Sequence, residues 1–266
     1  MLAHQPVILN IIFACYLAAL PCYLLHFFRH KRGWRVLAVS AMLTGFALQS
    51  ALLAARWLEA GYLPVTNLFS TQYFFSWALV LTYLYFDVRY RVGSSGLFVV
   101  VINLLLLGSV LQRDPEIPIL IPSLDTPLFT IHIICSFTGY AMFAMAFTLG
   151  VIYLINRYIP NKRLPDPVVL RKLNEEAIFL GFILFSICMI AGCIWAYIAW
   201  GFYFSWEIKS LWSFIVWLFY AGMCHAKFIR RWQGTGYAWL SLLGFGVVLF
   251  TYLGIGLLLE SSHPLE

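Results

Sequence analysis

Long apolar runs recur from one end of this chain to the other, and no other feature constrains its fold as strongly. Roughly 17–25 consecutive apolar residues is the length at which one α-helix crosses the hydrocarbon core of a bilayer. Inside that core every backbone N–H and C=O must find a partner within the protein, so only helices or closed barrels can span it. A barrel requires short segments of alternating apolar and polar residues, and this sequence has none. The chain therefore reads as an all-α polytopic membrane protein. With 62% of its 266 residues hydrophobic and 11% charged, it has too little polar surface for a water-soluble domain of that size.

Eight transmembrane helices are predicted, over residues 7–28, 36–55, 68–86, 97–111, 128–155, 173–197, 211–226 and 237–259. Basic clusters, a Gly-Ser turn and a stretch with four prolines between Arg113 and Pro127 separate them. Glu175 and Glu176 are placed in the first turn of the sixth span, where acids complement the helix dipole. Of the 17 Lys and Arg residues, fourteen fall in the loops after spans one, three, five and seven. Only Arg56, Arg113 and Lys209 fall on the other side. Because basic residues collect on the cytoplasmic side, this predicts an N-out, C-out arrangement. The net charge of +6 thus reports orientation, and no nucleic-acid partner is expected. The N-terminal MLAHQPV lacks the basic region of a cleavable signal. No repeat or soluble domain is visible, so residues 1–266 are read as a single membrane domain in contact with lipid.

The six cysteines all lie inside apolar runs and form no Cys-x-x-Cys pair, which argues against a disulfide framework, a zinc site or a dithiol relay. Between spans six and seven, residues 195–225 read WAYIAWGFYFSWEIKSLWSFIVWLFYAGMCH. This segment holds five of the ten tryptophans and is expected as a loop or short surface helix on the outer face. Sorted by depth, His132 and His263 lie at the outer surface, while His26 and His225 lie about one turn from inner helix ends. His4 and His30 sit in flanking polar segments. Two neutral imidazoles facing each other can ligate a flat metal macrocycle such as heme, and an aromatic floor would bury the ring. Taken singly, such residues also suit plain interfacial roles, as polar groups at helix ends or members of an aromatic belt. An ionisable group within a span is a functional candidate by default, which applies best to His225. His26 is near enough to Arg29 and His30 to snorkel with them.

Residues 200–225 resemble the tryptophan-rich WWD segment of CcsA/ResC-type cytochrome c assembly proteins, approximately W-G-x-Y-x-x-W-D-x-K-x-x-W-x-x-x-x-W-L-x-Y-x-x-x-x-H. Trp200, Gly201, Tyr203, Trp206, Lys209, Trp212, Trp217, Leu218, Tyr220 and His225 fit it. Residues 61–68 (GYLPVTNL) are similar to the family's G-x-x-P-x-x-N-L stretch. Residues 128–154, with His132 and Tyr140, resemble its histidine-bearing helix, and residues 250–263 its last helix and closing histidine. The resemblance implies a System II cytochrome c biogenesis protein of the bacterial cytoplasmic (inner) membrane, presenting heme b on the outer side to an apocytochrome c bearing Cys-x-x-Cys-His. It implies His132 and His263 as external axial ligands and His225 as the histidine that meets heme first, with Trp200, Tyr203, Trp206 and Trp212 covering the ring. It also implies a ResB/CcsB-like membrane partner, with holocytochrome c synthase (heme lyase) activity only in combination with that partner. Nothing in the motif assigns His26. At the motif's centre the usual Asp is Glu207, and Ile208-Lys209-Ser210 replace Pro-Lys-Glu. That departure leaves open a HemX-like alternative, a heme-binding regulator of heme biosynthesis without ligation activity. A carrier of another lipophilic cofactor is a more distant reading.

Overall fold

The computed structural model describes residues 2–29, 31–160 and 164–254. Among them the regular structure is helical: α1 (Gln5–Arg29), α2 (Arg32–Ala60), α3 (Leu68–Tyr90), α4 (Gly96–Val110), α5 (Pro127–Tyr158), α6 (Pro167–Trp200), α7 (Ile208–Ala226) and α8 (Thr235–Leu249). A wider helical turn, Phe250–Gly254, continues α8. Six of these are long and apolar enough to cross a membrane: α1, α2, α4 with the turn before it, α5, α6, and α8 with its continuation. By that measure α3 and α7 fall short of the eight expected spans, and their side chains give the reason. Sixteen of the 23 residues of α3 are buried against protein, so its hydroxyls and amides meet protein partners rather than lipid. On α7 the early turns carry Lys209, Ser210 and Ser213 among the aromatics, and the Trp217 indole donates to Ser186 Oγ on α6 at 2.9 Å.

The helices fall into two compact units, Met1–Ile119 and Leu120–Glu266. In the first, α1 packs along α2 and α4, and α3 packs on α4 and α2. Its polar interior is satisfied in series. Tyr16 Oη donates to Gln49 Oε1 at 2.8 Å, Gln49 Nε2 donates to Ser76 Oγ at 3.1 Å, and Ser76 Oγ donates to Asn103 Oδ1 at 2.6 Å. At one end of α2, Arg35 pairs with Asp87 at 2.9 Å. At its other end Arg56 is only 1% exposed. Its guanidinium donates to Gln5 Oε1, Ser70 Oγ and the Pro115 carbonyl, and it lies 4.8 Å from the centre of the Phe69 ring. Residues 61–67 form the turn between α2 and α3. Gly61 closes α2 at a φ of 75°, a left-handed conformation that glycine adopts without steric cost. Asn67 Oδ1 opens α3 by accepting the Ser70 amide at 2.9 Å.

In the second unit α5 and α6 form a long antiparallel pair, α8 lies on α5, and α7 contacts α6 and α8. Asn174 ties three helices together, donating to the Ala146 carbonyl at 3.0 Å and accepting from Ser241 Oγ at 2.9 Å. The sequence placed the start of the sixth helix at residue 173, which is six residues too late. The helix begins at Pro167 with Asp166 capping the Val168 amide at 2.7 Å. Glu175 and Glu176 therefore lie in its third turn and do not serve the first-turn role expected of them. Asn174, Glu175 and Glu176 interrupt the apolar run, but the hydrogen-bonded helix already begins at Pro167, with residues PVVLRK in its first turns. The stretch from Asp114 to α5 is extended apart from a short turn at Pro122–Leu124, as Pro115, Pro118 and Pro122 dictate, and Pro127 opens α5.

Candidate functional site

His132 is in the second turn of α5, which is capped by Thr126 Oγ1 accepting the Phe129 amide at 3.2 Å. Its Nδ1 lies 2.9 Å from the Cys188 carbonyl on α6. A carbonyl can only accept, so in this hydrogen bond Nδ1 donates, which in a neutral imidazole leaves the lone pair on Nε2. A histidine that serves as a metal ligand commonly has one ring nitrogen fixed by a backbone acceptor in this way.

Around that ring the aromatics form a continuous wall. The Trp195 ring is 6.2 Å from His132, with Phe129 at 5.2 Å and Trp200 at 4.8 Å from Trp195 in turn. Trp195 is held in place by its indole, which donates to the Ser123 carbonyl at 2.7 Å. Beyond Trp200 the helix ends at Gly201, with φ at 82°, and the chain turns back so that Tyr203 stacks on Tyr197 at 4.3 Å with planes 6° apart. Phe202 lies 6.2 Å from Trp200. Trp206 is 84% exposed, touched on one edge by Phe204. Trp212, in the first turns of α7, packs on Phe250 at 4.7 Å.

The expected surface loop is thus mostly helix. Residues 195–200 complete α6, residues 208–225 belong to α7, and only residues 201–207 are non-helical. Trp200 adjoins Trp195 on the His132 side, whereas Tyr203 stacks on Tyr197, roughly 200° around α6 from Trp195 at 3.6 residues per turn. His225 does not join them. It sits near the far end of the 19-residue α7, about 25 Å along the axis from Ile208 at 1.5 Å per residue. There it is exposed, with Nδ1 2.8 Å from the Ala221 carbonyl. His263, the expected partner of His132, lies outside the described residues, as does His30. His26 belongs to the first unit, on α1. Trp195 is the ring that meets His132. It lies inside the aromatic run, but nothing in a linear pattern singles it out for that contact.

Comparison with known proteins gives a consistent set of similarities. A family model described as Cytochrome C assembly protein matches residues 65–263. The cytochrome c biogenesis protein CcsA of Synechococcus elongatus is 30% identical over 96% of this chain and 95% of its own length. That of Prochlorococcus marinus subsp. pastoris is 30% identical over 95% of this chain and 90% of its own. That of Guillardia theta is 28% identical over 80% and 79%. Among solved structures, the cytochrome c heme lyase CcmF superposes with a TM-score of 0.72 over 96% of this chain. At 16% identity that likeness concerns the fold alone, and the chain spans 46% of the CcmF length.

Proposed function

This chain belongs to the cytochrome c assembly protein family, and from that premise we propose that it transports heme b and presents it at the outer face of the bacterial cytoplasmic membrane for attachment to c-type apocytochromes. The single observation that carries the reading is the His132 ring, whose Nδ1–H is tied to the Cys188 carbonyl at 2.9 Å beside the Trp195–Trp200 wall. Among the described residues no three His, Cys, Asp or Glu side chains converge as a metal cage. An imidazole beside flat aromatics suits a metal carried in a flat macrocycle.

In this reading the chain is one membrane domain of eight spans with both termini outside. His132 and His263 would hold the iron, and His225 would be the ligand met first, near the inner face. Trp200, Tyr203, Trp206 and Trp212 cover the ring and keep water from it. Heme supplies the iron and the vinyl groups that become thioethers, while the chain supplies ligation and orientation. The apocytochrome presents Cys-x-x-Cys-His to the exposed edge, and a ResB/CcsB-like membrane protein completes the machinery, so that synthase activity belongs to the pair.

The test is the purified chain in detergent, with and without added hemin. A Soret band that His132→Ala and His263→Ala each weaken or shift is expected. No band, or a band indifferent to both, overturns the site. Restoration of cytochrome c in a deficient strain, only when a ResB-like partner is co-expressed, is expected of a delivery protein. A chain that binds heme but never restores cytochrome c is the HemX-like regulator instead.

A further inference from the structure

On the reading that His132 is a ligand, we propose that Gly192 is its positioning residue, fixing on α6 the one tautomer of His132 that can take a metal. A Cβ built on Gly192 would stand 2.5 Å from His132 Nδ1, 2.8 Å from Cε1 and 3.5 Å from Cγ. Real Cβ atoms do not approach ring atoms that closely, so the imidazole lies where only a glycine backbone permits. Trp195 lies against the ring at 6.2 Å between centroids and is itself anchored through Ser123, which restricts sideways escape.

Depth decides chemistry here because Cys188 offers Nδ1 two different partners. Its carbonyl oxygen is 2.9 Å away and its Sγ is 3.4 Å away. The carbonyl is the oxygen that the Gly192 amide reaches in the helical i to i−4 pattern, and its second lone pair remains for the imidazole. When the carbonyl is the partner, Nδ1 holds the proton and Nε2 is a ligand. When the thiol donates instead, Nδ1 accepts, the proton moves to Nε2, and the ring cannot bind a metal through that atom. Seated against Gly192, the ring meets the carbonyl at full hydrogen-bond distance. A methyl at position 192 lifts the ring away from the backbone oxygen, and the carbonyl loses its advantage over the sulfur.

The experiment is Gly192→Ala in the full chain, with Gly222→Ala and Gly246→Ala as controls, since a Cβ at either control site meets nothing within 4 Å. The first readout needs no heme. In histidine-labelled protein the 15N shifts of His132 report which nitrogen is protonated. The wild type is expected to show Nδ1–H and Gly192→Ala a mixed or Nε2–H pattern. Nε2–H in the wild type overturns the proposal even where the variant fails to fold. The second readout is hemin titration, in which Gly192→Ala is expected to lose roughly tenfold or more in affinity, the scale of ligand-orienting contacts, while both controls bind as wild type. Hemin binding that His132→Ala abolishes but Gly192→Ala leaves intact, with tautomer unchanged, refutes the positioning role and spares the ligand. A wild type that binds no hemin refutes the ligand reading, and the tautomer measurement then decides the positioning role alone.

Discussion

Gly139 on α5 and Gly181 on α6 face each other at a close crossing, where a Cβ added to Gly139 would come within 3.3 Å of the Gly181 carbonyl. Without a hydrophobic driving force between helices in lipid, small residues that let backbones approach are what hold such a pair. A Cβ on Gly181 would press to 2.6 Å on the Phe143 ring, which is fully buried and stacks on Tyr220 with centroids 3.5 Å apart. Gly181→Val should therefore unseat Phe143 and with it the contact to α7. A loss of about 1–3 kcal/mol is expected from overpacking, read as a lower unfolding midpoint in detergent. Gly222→Val, on an open face, is expected to leave the midpoint close to wild type, and equal losses in both would contradict the argument.

In the first unit, Arg35 Nη2 donates to both Asp87 oxygens, at 3.0 and 2.9 Å, and the Asp87 side chain is 5% exposed. Removing one member of a buried pair strands the other charge, at a cost of about 3–5 kcal/mol, whereas replacing both with apolar residues is often neutral. Arg35→Met, which strands the Asp87 carboxylate, should thus be the severely destabilised single variant. Asp87→Leu leaves an Arg35 side chain that is 33% exposed and should lose less, and combining Arg35→Met with Asp87→Leu should recover most of the Arg35→Met loss. A double variant no better than Arg35→Met alone would mean that the pair is not acting as a unit.

The helices were legible because apolar runs report where the chain meets lipid, and that signal does not depend on which helix packs on which. Helix ends were less so. Hydropathy is interrupted at Asn174-Glu175-Glu176, but α6 starts earlier, at Pro167, and the Asp166-Pro167 cap marks that start. The site divided in the same way. Histidine depth and aromatic density singled out His132 and the residues after Trp195. The contact that orients His132 joins positions 56 apart, and its register is set by how closely two helices approach. Gly192 and Trp195 carry that information only once α5 and α6 are laid side by side. The split into two compact units likewise leaves no mark on the hydropathy profile.

Trp195 links the Pro-rich connection to α6 through one hydrogen bond, from its indole to the Ser123 carbonyl at 2.7 Å. Trp195→Phe keeps a large ring beside His132 but removes the donor. A net cost of about 1 kcal/mol is expected for one such bond. Limited proteolysis should cut more readily between Arg113 and Thr126, with helix content unchanged. If cleavage there is unaltered, the bond is not what fastens this segment. Trp195→Ala, which also opens the wall beside His132, should add a loss of hemin affinity that Trp195→Phe does not show.

Trp206 and Trp212 separate two uses of tryptophan. Trp212 packs on Phe250 at 4.7 Å, so Trp212→Ala should cost stability as well as binding. Trp206 is 84% exposed and meets Phe204 only edge-on, so truncation removes little packing and should shift the unfolding midpoint by no more than about 0.5 kcal/mol. A heme-covering role and an aromatic-belt role for Trp206 then diverge. If it covers heme, Trp206→Ala releases hemin faster and Trp206→Phe restores retention, because a flat ring suffices for stacking. If it only anchors the chain at the interface, hemin retention is unchanged, and the loss appears instead as weaker stability in bilayers than in detergent, where the headgroup region that favours an indole is absent. The proposed covering role predicts the first pattern, measured as hemin dissociation to an excess of apo-myoglobin in both media.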